Sequence, residues 1–229
     1  MATLTTSFGT QAGIARAGSA GATWTNPTTG ALTNENTFSV NNVGIPVNTD
    51  FYGDWLVVSA PTGLGAIGDA DTVNGVTVNV YRLALFNTAS VRATTSLIHY
   101  SKVATSAPNG TGKASGTVWP LTETLQAFGG AADLWGHTTI SGAEIKAAGS
   151  SIWISARQQN DLLDYPEPSI DFIEMTVEYT VAPSGHPAIR RHGMANRSIW
   201  GSGKPGHNHF KTAGGILLPS QPGKVLVAA

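Results

Sequence analysis

The sequence DFIEMTVEYTV, residues 171–181, alternates apolar and polar side chains from Ile173 onwards. Successive side chains of a β-strand point to opposite faces, so this period of two predicts a strand with one face on a core. Isoleucine, methionine, valine and tyrosine occupy the apolar positions, whereas glutamate and threonine occupy the positions between them. We therefore expect a half-buried strand whose solvent face is acidic.

The same alternation occurs at two further places in the chain. Residues 76–80 (VTVNV) carry valine at every second position, and residues 150–157 (SSIWISAR) carry Ile152, Ile154 and Ala156 in the same way. Weaker candidate strands cover residues 37–40, 54–59, 81–86, 93–103 and 116–119. Turn signals separate the segments at Asn74-Gly75, at residues 108–110 and at residues 164–168. Seven or eight such strands predict an all-β fold, an antiparallel β-sandwich of jelly-roll or immunoglobulin-like type.

The composition agrees with a β-rich chain. The 229 residues include 27 glycines and 12 prolines, and only 12% are charged, which excludes helical bundles and coiled coils. One short helix is expected over residues 141–148, with Ser141 as its cap and Ile145 pointing inward. The absence of cysteine excludes disulfides and thiolate zinc sites.

Neither a secretory leader nor a membrane span is expected. The first 22 residues lack a basic start and a continuous apolar run, and no stretch of the chain approaches 18 apolar residues. The sequence therefore predicts a soluble protein that does not enter a membrane.

Charge divides the chain into two blocks. Residues 1–178 hold all 14 acidic residues and seven basic ones, a net charge of −7, whereas residues 179–229 hold the other six basic residues and no acid, a net charge of +6. A basic segment rich in glycine and proline typically binds an acidic partner, either nucleic acid or a carboxylate-rich protein face. We interpret residues 22–181 as the β-sandwich domain, flanked by extended arms: an N-terminal arm at residues 1–21 and a basic C-terminal arm at residues 182–229.

Motifs that would carry chemistry are incomplete. Residues 63–68 (GLGAIG) have the spacing of a dinucleotide fingerprint, but a strand rather than a helix is expected to follow them, and residues 201–205 (GSGKP) end in proline where a phosphate-binding loop needs serine or threonine. The chain has no Gly-x-Ser-x-Gly elbow. Its carboxylate clusters, Asp69/Asp71 and Asp161/Asp164/Glu167, are better explained as turn residues than as a glycosidase pair. We therefore expect no enzymatic activity, no catalytic residue and no cofactor.

Histidines and tryptophans leave two binding alternatives open. His207 and His209, with His186 or His192, have a spacing that suits a metal ion, although interface hydrogen bonding is the commoner role, and we assign no metal. The six tryptophans are either buried in the hydrophobic core or exposed as a stacking surface for glycans. Most of them lie within or beside strand candidates, which favours burial in the core.

Four motifs in sequence order resemble a β-sandwich domain of tailed-bacteriophage virion structural proteins. They are residues 24–27 (WTNP), 75–80 (GVTVNV), 133–136 (DLWG) and 171–180 (DFIEMTVEYT). Together they cover about residues 22–181, and the chain departs from the family at residues 147–152 (AAGSSI), where Asn-Phe-Gly-Val is usual. The resemblance implies a virion component of the head, neck or tail, and it implies no enzymatic residues.

The expected function is therefore that of a non-enzymatic bacteriophage virion structural protein. It would assemble on the capsid, neck or tail through its sandwich and its basic C-terminal arm, with copies of itself and with capsid, portal or tail proteins as partners. A tail-associated receptor- or glycan-binding module is the alternative, and contact of the arm with DNA stays open. The expected assembly residues are Arg190, Arg191, Arg197, Trp200, Lys204, Phe210 and Lys211.

Overall fold

A computed structural model gives the fold. It describes residues 1–19, 23–26, 28, 30–34, 39–42, 49–85, 91–103, 106–160, 167–183, 209–211 and 217–219. These residues divide into two compact units, Met1–Pro183 and Ser184–Ala229. No helix in the described ranges is long and apolar enough to cross a membrane.

The first unit consists of two antiparallel sheets. The first sheet contains β1 (Ala2–Thr6), β3 (Thr23–Thr25), β4 (Ser39–Asn42), β7 (Thr72–Leu85), β10 (Thr124–Gly130), β11 (Ile140–Ser141) and β13 (Glu167–Thr180). The second sheet contains β2 (Phe8–Ile14), β5 (Thr49–Tyr52), β6 (Trp55–Pro61), β8 (Val91–Ser101), β9 (Lys113–Val118) and β12 (Ser151–Asn160). The prediction of an all-β antiparallel sandwich is thus confirmed.

Each sheet is built around one long strand or strand pair. In the first sheet, β7 and β13 pair along their whole length. β10 and β11 pair with the other edge of β7. β1 and β4 pair with the other edge of β13. In the second sheet, β12 is flanked by β8 on one side and by β5 and β6 on the other. The outer strands β10 and β9 therefore form one edge of the first and second sheet, respectively.

The core lies between the sheets, at the positions that the alternating pattern predicts. Val76, Val78 and Val80 of β7 are fully buried, and they belong to one apolar cluster with Ile152 and Ile154 of β12. Burial of such side chains contributes about 1.5–3 kcal/mol each, so this cluster is the main source of stability.

The N-terminal strands differ from the expected arm. β1 pairs with β13 in the first sheet, whereas β2 pairs with β6 in the second, and Ser7 alone connects them. A single extended segment thus crosses from one sheet to the other, and residues 2–14, which the sequence analysis placed outside the sandwich, belong to both of its layers. The compact unit accordingly begins at Met1 rather than at residue 22.

One expected turn is a strand interior instead. Asn74 and Gly75 lie within β7, where Gly75 is the register partner of Glu178. A β-carbon on Gly75 would overlap the backbone of Ala131 and Ala132, so glycine is required there for close packing rather than for reversing the chain. The predicted turn was therefore wrong.

The helix prediction is confirmed. Helix α1 covers Gly142–Lys146, and Ser141 caps it: the Ser141 side chain accepts a hydrogen bond from the Glu144 amide while the Glu144 carboxylate accepts one from the Ser141 amide. Ile145 is fully buried.

The second unit contains one described ladder. Strand β14 (His209–Lys211) pairs antiparallel with β15 (Leu217–Pro219).

Candidate functional site

The expected assembly residues fall in the second unit. Arg190, Arg191, Arg197, Trp200 and Lys204 lie outside the described residues. Phe210 and Lys211 lie in β14, as register partners of Leu218 and Leu217.

The division into compact units coincides with the division of charge. The boundary between the units lies between Pro183 and Ser184, and no charged residue occurs between Glu178 and that boundary. The first unit therefore carries the whole net charge of −7 and the second unit the whole net charge of +6. Two bodies of opposite charge attract each other within a chain or between copies.

Part of the acidic charge lies on the outer face of the first sheet. The Glu174 carboxylate accepts a hydrogen bond from the Asn79 amide at 2.9 Å, and the Glu178 carboxylate accepts one from the Thr3 hydroxyl at 2.7 Å. Both glutamates are half-buried. The acidic face expected from residues 171–181 is thus present and is held in place by β7 and β1.

Arg16 holds the end of β2 on the second sheet. Its guanidinium lies 4.6 Å from the ring centroid of Tyr52 and 4.9 Å from that of Trp55, and it donates a hydrogen bond to the Ser155 hydroxyl at 2.8 Å. Burial lowers the pKa of this guanidinium. Cation–π contacts and the hydrogen bond therefore tie the segment that follows β2 to the outer face of the sheet.

Asp54 accepts further hydrogen bonds next to Arg16. Its carboxylate accepts hydrogen bonds from the Arg16 amide at 3.1 Å and from the Ser19 hydroxyl at 2.6 Å, while its carbonyl accepts one from the Trp24 indole at 2.8 Å. These contacts explain why a segment rich in alanine, glycine and serine is ordered against the sandwich.

Two carboxyl groups meet at the bulge of β13. Ile170 and Phe172 have register partners in β7, but Asp171 between them has none, so Asp171 is the extra residue of a β-bulge. Its carboxylate is fully buried and accepts no hydrogen bond from an amide, hydroxyl or basic group of the described residues. Although Glu123 is exposed, desolvation, the neighbouring Asp171 carboxylate and a hydrogen bond between the two carboxyl groups raise its pKa.

A cleft opens between the edge strands β9 and β10. Residues 119–123 cross from one sheet to the other and are fixed to both: the Trp119 amide donates to the Ala93 carbonyl, and the Ala84 amide donates to the Pro120 carbonyl, each at 2.8 Å. The cleft beneath this crossover has a volume of about 270 Å³. Its lining residues are Arg82, Thr117, Val118, Pro120, Thr124, Leu125 and Gln126.

Arg82 forms the base of this edge cleft. It is 3% exposed, and its guanidinium lies 5.0 Å from the ring centroid of Trp119. Among the described residues, the guanidinium makes one hydrogen bond, a long contact of 3.4 Å to the Thr95 hydroxyl. None of the ion pairs between described residues includes Arg82. Burial lowers the pKa of the guanidinium to about 10, which leaves it cationic at neutral pH.

The five described tryptophans are core residues rather than a binding platform. Their exposed fractions do not exceed 6%, and the indoles of four of them, Trp24, Trp119, Trp135 and Trp153, donate hydrogen bonds within the sandwich. Trp200 lies outside the described residues. The described tryptophans thus provide no exposed surface for stacking a glycan.

The DLWG motif at residues 133–136 has a structural role. The Asp133 carboxylate accepts a hydrogen bond from the Trp135 amide, and the Trp135 indole donates to the Val76 carbonyl, both at 2.8 Å. Trp135 and Gly136 adopt positive φ angles of 54° and 78°. This turn anchors the segment after β10 to β7.

The glycine-rich loop at residues 63–68 does not open a helix. It forms a 3-10 turn, Leu64–Ala66, and the Gly68 amide then donates to the Asp71 carboxylate at 2.7 Å before β7 begins. Within the described ranges, no three histidine or acidic side chains lie close enough together to hold a metal ion.

In comparisons with protein-family models and with curated protein sequences, the chain matches none.

The edge cleft and the carboxyl pair were not identified from the sequence. The signal for Arg82 was present, because Arg82 continues the series of inward positions that begins at Val76 and ends at Ala84. The signal for the carboxyl pair was absent, because residues 123 and 171 meet only through a bulge and a crossover between sheets.

Proposed function

We propose that this chain is a non-enzymatic structural protein of a bacteriophage virion, one that assembles on the capsid, neck or tail. The four motifs that resemble virion sandwich domains support the proposal, as does the two-sheet fold in which residues of all four form structural contacts. In this role the sandwich is a rigid body and the basic C-terminal unit binds acidic surfaces of neighbouring proteins.

The observation that carries the proposal is the coincidence of the structural and electrostatic boundaries at Pro183. A body of net charge −7 joined to a unit of net charge +6 is complementary to a second copy of itself. Such an interface extends the contact area of a small protein without enlarging its core.

The experiment compares the full chain with two triple variants by sedimentation velocity at low and high salt. We expect the native chain to associate at low ionic strength and to dissociate at about 0.5 M salt, because screening shortens the range of these attractions to a few Å. The variant Arg190→Gln/Arg191→Gln/Arg197→Gln should stay monomeric, while the matched control Arg190→Lys/Arg191→Lys/Arg197→Lys keeps the charge and should associate like the native chain.

Association of the glutamine variant at native strength would contradict the proposal. Duplex DNA added to the native chain tests the alternative that the basic unit binds nucleic acid. If DNA displaces the protein partner at the same salt concentration, the basic unit binds nucleic acid rather than an acidic protein surface.

A further inference from the structure

The edge cleft between β9 and β10 combines a buried cation with an apolar rim. Val118, Leu121 and Leu125, which are 40%, 60% and 47% exposed, lie on the crossover and on the two edge strands beside it. Val118 and Leu125 line the cleft directly, and Arg82 lies at its base. An apolar opening above a positive charge is complementary to a ligand that has both an acidic and an apolar part.

The charge of Arg82 is not balanced within the described part of the chain. A guanidinium carries five N–H donors, yet Arg82 makes one long hydrogen bond and no ion pair there. Burying a cation without a partner is costly, and a π face compensates for only part of that cost. The planar fork of N–H groups matches a carboxylate in two-point geometry.

A second polar side chain that lines the cleft, Gln126, has an acceptor atom without a partner among the described residues. The Gln126 side chain donates from Nε2 to the Ser115 hydroxyl at 2.8 Å, which fixes the amide between β10 and β9. Its Oε1 atom is buried and accepts no hydrogen bond from the described residues. Two residues that line the cleft, Arg82 and Gln126, thus have polar groups that the described residues leave unsatisfied.

We propose that the edge cleft is a binding site for a small amphiphilic carboxylate that carries an N–H or O–H donor next to its acid group. Arg82 binds the carboxylate, Gln126 Oε1 accepts the hydrogen bond from the donor, and Val118 and Leu125 contact the apolar group. The volume of about 270 Å³ is just below the usual range of ligand sites, which suits a small molecule. This site is separate from the association proposed above and does not depend on it.

N-acetyl-leucine is a suitable probe because it has a carboxylate, an amide N–H and an isobutyl group. Its binding to the full chain is measured by isothermal titration calorimetry or by ligand-detected NMR. Three related probes each lack one feature: N-acetyl-leucinamide lacks the acid, 4-methylpentanoate lacks the donor, and glucuronate lacks the apolar group. We expect N-acetyl-leucine to bind most tightly and the amide to bind at least about tenfold more weakly, since a hydrogen bond to a charged group is worth about one decade or more in affinity.

Two protein variants locate the site. Arg82→Met keeps the side-chain length and should weaken N-acetyl-leucine binding at least about tenfold. Lys146→Met removes one positive charge from helix α1, which does not line the cleft, and is the control variant that should bind like the native chain. Because Arg82 is buried and its substitution could prevent folding, the comparison of acid with amide on the native chain tests the proposal on its own.

Equal binding of the acid and its amide, equal binding by native and folded Arg82→Met proteins, or no binding of N-acetyl-leucine to the native chain would overturn the proposal. Tighter binding of glucuronate than of N-acetyl-leucine would overturn the assignment of an apolar ligand.

Discussion

Glu123 and Asp171 bring two carboxyl groups together, and no ion pair between described residues includes either of them. Asp171 is fully buried and accepts no hydrogen bond from an amide, hydroxyl or basic group of the described residues, and Glu123 beside it has a raised pKa. Because the folded state holds the Glu123 proton more tightly than the unfolded state does, the free energy of unfolding falls as the pH rises through the folded pKa of Glu123. The pair therefore makes the sandwich less stable at neutral pH than in mild acid, where Glu123 is protonated.

Glu123→Gln should raise the stability at neutral pH. The amide of glutamine donates a hydrogen bond to the buried Asp171 carboxylate at every pH, which we expect to add about 1 kcal/mol to the free energy of unfolding at pH 7. The gain should shrink at pH 4, where the native glutamic acid is itself a donor. Urea denaturation at both pH values measures the difference.

Glu178→Gln is the control for this experiment, since Glu178 lies in the same strand as Asp171 but at the other register shift of that strand, between Glu178 and Tyr179. We expect the free energy of unfolding of this control variant not to rise at pH 7 relative to the native chain. A Glu123→Gln protein that is no more stable than the native chain at pH 7 would show that the two carboxyl groups do not interact.

At the scale of elements, the contacts of Arg16 hold the N-terminal strands on the sandwich. Arg16→Met keeps an apolar stem but removes two cation–π contacts and the hydrogen bond to Ser155. We expect the free energy of unfolding to fall by about 1–2 kcal/mol. Amide hydrogen exchange should accelerate in β2 (Phe8–Ile14), because this strand lies at the edge of the second sheet.

Arg157→Met serves as the comparison on the same sheet. If exchange in β2 were as slow in Arg16→Met as in Arg157→Met, other contacts of the N-terminal segment would be sufficient to hold it.

The elements that sequence patterns predicted are those with apolar inward positions. Valine, isoleucine and methionine point toward the core from β7, β12 and β13, so the apolar alternation predicts these strands. The helix has a complete capping box, which predicts where it begins. β1 and β2 were missed because Thr6 and Gln11 occupy inward positions there. Gln11 is buried only because its amide group bonds to the Asn26 carbonyl at 3.1 Å and to the Ala31 amide at 2.6 Å, and such distant partners cannot be read from local alternation.

The candidate site could be predicted only in part for a similar reason. The basic segment is a property of composition, and the charges place its boundary with the sandwich between Glu178 and Arg190, an interval that contains the boundary between the compact units. The edge cleft depends on β9 and β10 lying at the same edge of different sheets, and the order of strands in a sheet is a property of the tertiary fold. Arg82 could be placed on the inward face from its position in β7, but its lack of a partner could not be predicted.

At the scale of the whole molecule, a rigid acidic sandwich and a basic C-terminal unit suit a protein that works by adhering to its neighbours. The first unit is tied together by an N-terminal segment that belongs to both sheets, which makes it a single body for attachment. The second unit concentrates the positive charge.

The most direct test of the proposed virion role is immunogold electron microscopy of phage particles purified from a lysate that contains the chain, with an antibody raised against the sandwich. The account predicts gold particles on the shell, the neck or the tail at a regular position. Label confined to the distal tip of the tail would favour receptor binding over assembly. Particles without label, from a lysate in which the free protein is detected, would contradict the assignment of this chain to the virion.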